Sequence, residues 1–281
     1  MVTGGAGFIG SALVNKLCEL DYDVTVVDNF FNDSDQPRNE AAQYFILDAG
    51  DLYKSKLFKD VKFDYIFHLG EYARVEQSFK DYDTVMDYNY NSFPEILKFA
   101  KAKNAKLIYS GSSTKFADNG KAASPYAFTK AQNTELLKAY SEWYGLDYTI
   151  VYFYNVYGYG EKGIGEYATV VQKFLTMKSM GQKYFPVTSP GTQLRNFTHI
   201  DDVVEGLILA GFEGQGDEWG IGANEKYSIL DLVEMLEGEP MMQEPKPGNR
   251  MNGELKTTKL KALGWSAKTN LKDYIKEKIN E

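Results

Sequence analysis

One cysteine and two histidines among 281 residues leave little material for metal or thiol chemistry. Cys18 alone excludes an intrachain disulfide and any multi-cysteine zinc site. His68 and His199 have no third ligand at metal spacing and read as structural histidines, so no metal is expected. No apolar run reaches the roughly 18 residues that a membrane-spanning helix needs, and the start lacks the basic stretch of a signal peptide. A cytoplasmic protein with no membrane partner is therefore expected. Positive charge is also in deficit, with 31 Lys+Arg against 39 Asp+Glu and a net charge of −8. A protein that coats nucleic acid normally carries a basic face, so no nucleic-acid partner is expected. One local basic pocket for a phosphate stays compatible with that balance. Repeats and low-complexity segments are missing, and 43% hydrophobic residues supply a sizeable core.

What is present has a rhythm. Short β-rich runs at Val24–Val27, Tyr44–Leu47, Tyr65–Leu69, Lys106–Ser110 and Tyr148–Tyr154 alternate with stretches of helical spacing at 9–20, 84–103 and 125–144. Strand and helix in alternation predict an α/β fold, a doubly wound parallel sheet of Rossmann type with helices on both faces. After Tyr157 glycines accumulate, and the reading changes to a smaller α/β lobe. The expected division is a dinucleotide-binding domain over 1–157 and a mainly substrate-binding lobe over 158–281, with segments near 185–204 returning to the main sheet.

The first glycines carry chemistry. Gly4, Gly7 and Gly10 form a GxxGxxG that leads directly into a helical stretch. Two of them allow a tight turn and close approach of backbone to a pyrophosphate, and the third lets helix and strand pack closely. The helix start adds free N–H groups and partial positive charge. Asp28 closes the next strand at the distance expected for a carboxylate on the adenosine ribose, and Asp48 closes the third, within reach of adenine. Phe8, Ile9, Asn29 and Ala49 complete the expected cofactor loop and strand ends. A carboxylate at 28 repels a 2′-phosphate and no arginine follows it, so NAD is favoured over NADP. Only Met1 and Val2 precede the loop's Thr3-Gly4, which makes the first strand nearly absent.

A second group sits mid-chain. Ser124 and Pro125 are a plausible N-cap and first helical residue, and Tyr126 and Lys130 share one helix face four residues apart. A free tyrosine titrates at about 10 and is a poor base at neutral pH, but a neighbouring ammonium favours the phenolate. Spacing alone does not single this pair out, since Tyr274 and Lys278 repeat it. Its context does: Tyr126 follows the hydroxyl-rich Tyr109-Ser110-Gly111-Ser112-Ser113-Thr114, at the end of a strand where ligands of open α/β sheets bind.

TGGAGFIGS, VVDN, IFHLG, YSGSST, SPYAFTK and YNVYG stand in the order seen in the extended short-chain dehydrogenases/reductases, and the chain resembles their nucleotide-sugar epimerase/dehydratase group. The resemblance runs from Val2 to about Tyr274 and weakens after Gly158. It implies that Tyr126 is the catalytic base/acid, that Lys130 orients the nicotinamide ribose, and that Ser112 bonds the reacting hydroxyl. It implies cofactor contacts for Leu69, Gly70, Asn89 and Tyr154. Ser113, Asn155, Lys162, Arg195 and Arg250 are implied for a nucleotide-diphosphate sugar, the two arginines at its diphosphate. A homodimer built from the 84–103 and 125–144 stretches is implied as well. Related dehydratases carry Thr-Asp-Glu where this chain has Ser112-Ser113-Thr114, so the carboxylates needed for elimination are missing. The pattern is similar to UDP-hexose 4-epimerases working through a transient 4-keto sugar. Met86–Tyr90 and Glu161-Lys162-Gly163 bear some similarity to ADP-glycero-manno-heptose 6-epimerase, and a 4-ketoreductase is a third reading. The chain departs from its group at Tyr152 (usually arginine), at Lys115 (usually apolar) and at Glu71 (usually small).

Overall fold

The computed structural model describes residues 1–31, 36–116, 123–245 and 254–281. Seven parallel strands form the central sheet: β1 (Val2–Thr3), β2 (Thr25–Asp28), β3 (Gln43–Ile46), β4 (Tyr65–His68), β5 (Lys106–Ser112), β6 (Tyr148–Phe153) and β7 (Gly216–Ile221). Their order is β3-β2-β1-β4-β5-β6-β7. The chain therefore reverses direction of travel between β1 and β4, which opens a crevice at the carboxyl ends of those two strands.

The five expected strands lie within a residue or two of their predicted places, except that β5 runs on to Ser112. The nearly absent first strand is real but minimal. Two residues suffice because Val2 and Thr3 are fully buried between β2 and β4 and need only reach the crevice. The return to the main sheet comes later than 185–204. Tyr184–Thr188 pairs instead with Glu239–Gln243, and it is Gly216–Ile221 that joins at the sheet edge.

Alternation along the strands divides the core. On one face Val27, Ile66, Leu107, Tyr109 and Ile150 pack with α2 (Phe93–Lys103) and α3 (Pro125–Tyr144). On the other, Val2, Val26, Phe67, Ile108 and Val151 pack with α1 (Phe8–Glu19) and α4 (Ile200–Glu213). Strands apolar on both faces are what a helix-covered parallel sheet requires. The predicted 84–103 helix is interrupted by a π-helical segment, Met86–Asn91, that precedes α2. A third core, with Tyr157, Phe174, Phe185, Phe197, Leu232 and Ile275, belongs to the smaller lobe. Among the described residues no helix is long and apolar enough to cross a membrane.

Two of the departures from the family pattern prove to be one feature. The Tyr152 hydroxyl donates to Asp217 Oδ1 at 2.5 Å, and Lys115 Nζ reaches Asp217 Oδ2 at 2.9 Å and the Tyr152 hydroxyl at 3.4 Å. A lysine thus supplies the cation that the tyrosine lacks.

Glycine is dictated most strictly at the start of α1. A Cβ on Gly10 would lie 2.0 Å from Gly4 O, and one on Gly4 2.6 Å from Gly70 N, with Gly4 at φ +69°. Gly10→Ala is expected to cost about 1–3 kcal/mol of stability and to weaken NAD binding; a thermal melt and an NAD titration at unchanged melting temperature would refute this.

Candidate active site

The crevice beyond β1 and β4 is a cleft of about 430 Å³, lined by Gly4, Gly7, Asp28, Asn29, Asp48, Ala49, Leu69 and Gly70 among others. The predicted cofactor residues at these eight positions are therefore brought together. Gly4 packs directly against the backbone of Gly70, and α1 begins at Phe8 with Gly7 as an N-cap that offers no side chain. The helix N–H groups are left for a ligand. Asp28 braces the loops around it, with Oδ2 accepting from Ala6 N at 2.9 Å and Oδ1 from Phe30 N at 2.8 Å. Asn29 Nδ2 donates to Asp48 Oδ1 at 2.6 Å. A cradle that any side chain would fill, a free helix start and a carboxylate at the strand end fit a dinucleotide. Ile9, in the first turn of the helix, packs its side chain against the sheet core, which leaves only its backbone for the cleft.

The hydroxyl group of residues stands across β4 from this cleft. β5 ends in Ser112, which is buried and accepts from Thr114 Oγ1 at 2.9 Å; Ser113 beside it is buried too. Ser124 caps α3 as predicted, accepting from Ala127 N at 3.0 Å, with Pro125 at the first turn. That cap fixes the helix start and so the height of Tyr126, which is half-buried, while Lys130 one turn on is only 4% exposed. The Tyr274–Lys278 repeat differs: Lys278 Nζ binds Glu281 at the surface, 2.7 Å away.

Lys130 meets a partner that the sequence gave no reason to expect. Its Nζ contacts Glu71 Oε2 and Ser110 O. The Glu71 side chain is 1% exposed. Its Oε1 accepts from Asn133 Nδ2 at 2.9 Å, Oε2 accepts from the Tyr109 hydroxyl at 3.2 Å, and His68 Nε2 is 3.7 Å from Oε1. Burial works to raise this carboxyl, but the Lys130 ammonium and His68 outweigh it and hold the carboxyl below its ordinary range. Burial and the Glu71 charge push the Tyr109 phenol well up, so it stays a donor. His68 also bonds the Thr3 hydroxyl through Nδ1 at 2.7 Å, and His199 Nδ1 accepts from Asp201 N at 3.3 Å.

Other predicted residues bond to the protein's own groups. Asn89 spends its side chain on Tyr72 N, Tyr72 O and Thr129 Oγ1, holding the loop after β4 rather than facing the cleft. The π turn explains its inward position. Tyr154 is buried in the core with its hydroxyl between Glu254 O and Lys256 N, and Asn155 holds Asn196 O at 2.9 Å. Arg195 lies on a two-residue strand, Arg195–Asn196, and bonds Leu194 O. Arg250 is outside the described residues.

Lys162 does line a cavity, one of about 410 Å³ that includes Gly7, Phe8, Arg74, Glu161 and Tyr167. Arg74 and Glu161 were not foreseen. Arg74 is a half-buried cation that donates to Tyr167 O at 2.7 Å and interacts electrostatically with Tyr126, Tyr72 and Glu161. Burial pushes the Glu161 carboxyl up to about 7, against the opposing effects of the Gly158 N–H and Arg74. Nothing in local sequence marks these residues, since their role depends on two loops meeting across the cleft.

A raised carboxyl binds its proton more tightly when folded, so stability is lost as pH rises from the ordinary carboxylate range through about 7. Glu161→Gln, which mimics the neutral form, should therefore raise the melting temperature at pH 8 and leave it nearly unchanged at pH 5. Equal shifts at both pH values would contradict this.

Comparison with known proteins agrees with the geometry. In fold and sequence the chain is similar to the UDP-glucose 4-epimerase of Thermotoga maritima, solved with UDP-glucose, at 28% identity and a TM-score of 0.91 over 99% of this chain and 96% of that one. It is similar to the UDP-glucose 4-epimerase of Thermus thermophilus, solved with NAD, at 25% identity and a TM-score of 0.88 over 99% and 97%. It is 26% identical to the UDP-glucose 4-epimerase of Lactobacillus helveticus, over 98% of this chain and 94% of that one. Residues 1–222 match the family description itself, and the chain belongs to the NAD dependent epimerase/dehydratase family.

Proposed function

We propose that the protein is a nucleotide-sugar epimerase that inverts C4 of a UDP-hexose through a transient 4-keto sugar. The observation that supports this reading is that Lys130, one turn after Tyr126 on α3, contacts Ser110 O near the end of the strand that carries Ser112, with no carboxylate at Ser113 or Thr114. NAD, when bound, supplies a reversible acceptor for the hydride of a carbinol carbon. Tyr126 takes the proton of the sugar hydroxyl and later returns it. Ser112 bonds that hydroxyl and keeps it aligned with the phenol. Lys130 supplies the positive charge that favours the phenolate.

Internal return of the hydride needs a cofactor that stays in place. Three side chains tie together the loops at the adjoining 410 Å³ cavity, which shares Gly7 with the cofactor cleft: Gln36 Nε2 donates to Gly160 O at 3.0 Å, Arg74 to Tyr167 O, and Gln77 Nε2 to Glu166 O at 2.7 Å. This bracing favours an epimerase over a reductase that exchanges its cofactor at each turnover. Lys162 in the same loop supports the alternative of C6 inversion on an ADP-heptose, and the substrate panel below separates the two.

Proton NMR in D₂O with catalytic NAD should show a new anomeric signal from UDP-glucose, with no deuterium in the sugar. Deuterium incorporation would mean enolisation, and conversion of the ADP-heptose alone would shift the assignment to the second reading. Tyr126→Phe should lower turnover by at least about 100-fold, the usual scale of general-base catalysis, while NAD still binds. Near-normal turnover in that variant would refute the role of the phenol.

A homodimer through α3 and the π-helical segment is part of this proposal. Phe128, Trp143 and Tyr144 on α3 and Tyr90 beside Phe128 are exposed, Trp143 to 65%. Sedimentation should give twice the chain mass, and Phe128→Glu should weaken the association; a monomer at micromolar concentration would remove this element.

A further inference from the structure

The Glu71 carboxylate is a second charge in direct contact with Lys130, at a position where the family pattern has a small side chain. Every element packed against it contributes a group. From β4 comes His68, from β5 the hydroxyl of Tyr109, and from α3 Lys130 and Asn133. Asn133 also donates to Asn89 O at 2.8 Å, which links the carboxylate to the π-helical segment. Lys130 and Glu71 form an ion pair with side chains 5% and 1% exposed, so water screens it little. Ser110 O takes another of the lysine's protons and Ser110 Oγ lies 3.4 Å from Nζ. The ammonium is thus spoken for on the sheet side before any ligand enters. Among the described residues, Arg74 is a cation that interacts electrostatically with Tyr126.

We propose that Glu71 is a positioning residue of the active site: its carboxylate clamps the Lys130 ammonium against β5 and offsets its charge, so that the ion pair, rather than the lysine alone, sets how readily Tyr126 gives up its proton. The clamp orders a long, flexible side chain in advance, and the negative charge works against the phenolate. The two effects oppose each other in rate and separate cleanly in pH. Removing the carboxylate leaves the lysine's positive charge uncompensated, which favours the phenolate and moves its ionisation to lower pH.

This inference rests on the reading of Tyr126 as the proton acceptor, and its test has a readout that does not depend on turnover. The full chain, labelled with ¹³Cζ-tyrosine and loaded with NAD, is titrated by NMR, the Tyr126 signal being identified by its loss in Tyr126→Phe. In Glu71→Gln the Tyr126 titration should move to lower pH, by about one unit for the loss of one charge bound to Lys130. The acid limb of kcat for UDP-glucose should move with it. Glu71→Asp, which keeps the charge, should stay within a few tenths of a unit of the parent. Should glutamine destabilise the fold, Glu71→Ala, which vacates the space, carries the same expectation. An unmoved or upward-shifted titration in a folded Gln or Ala variant overturns the proposal, as does failure of both variants to fold, which would assign the carboxylate to folding alone. If Tyr126→Phe keeps its turnover, the functional reading fails, whatever the titration shows; if Tyr126→Phe is inactive and the titration does not move, only this inference fails.

Discussion

The site depends on the meeting of two backbones, where the turn after β1 at Gly4 touches the turn after β4 at Gly70. No side chain fits between them, and that exclusion sets the depth of the crevice. A strand of two residues is enough at this point because its task is to bring Gly4 to Gly70, not to span the sheet. From there the order of construction follows. The helix that starts at Phe8 aims its N–H groups into the crevice, Asp28 fastens the loops on one side, and β4 delivers Glu71 on the other.

β4 therefore joins the two halves of the site. Its end residues Leu69 and Gly70 line the cofactor cleft, while the next residue reaches back to the lysine of α3. Four further polar groups enclose that ion pair: His68, Tyr109, Ser110 and Asn133. A buried charge pair is tolerable only when its remaining hydrogen-bonding capacity is met. Here the surrounding strands and helix meet most of it, which specifies one arrangement of the active-site lysine.

The fold was largely legible in the sequence because its signals are local. Apolar runs, the glycine loop, the Ser124-Pro125 cap and the hydroxyl cluster after Tyr109 each act within a few residues of themselves. Part of the candidate site is local in the same way: Gly4, Gly7, Asp28 and Asp48, singled out by spacing, line one cleft, and Lys130 contacts the hydroxyl-rich strand end. What escaped is long-range. Lys115 and Tyr152 each looked like an isolated oddity, and only Asp217, from a distant strand, shows them to be partners. Tyr154 and Asn89 carried the right residue types in the right motifs, yet their polar atoms are consumed by neighbouring backbone. The 185–204 stretch has strand-like composition, but its pieces pair with Glu239–Gln243, Lys226–Tyr227 and Val156–Tyr157, which sequence spacing does not reveal.

The contacts that tie together the loops at the adjoining cavity have a chemical asymmetry. Gln36, Arg74 and Gln77 are side-chain donors, whereas their acceptors at Gly160, Tyr167 and Glu166 are all backbone carbonyls. A carbonyl is present whatever residue bears it. The 160–167 loop can therefore change its side chains, and with them the shape it shows to a ligand, without releasing its hold on the rest of the protein. Selection for a new sugar can act on that loop almost freely, while the three donors opposite remain under constraint.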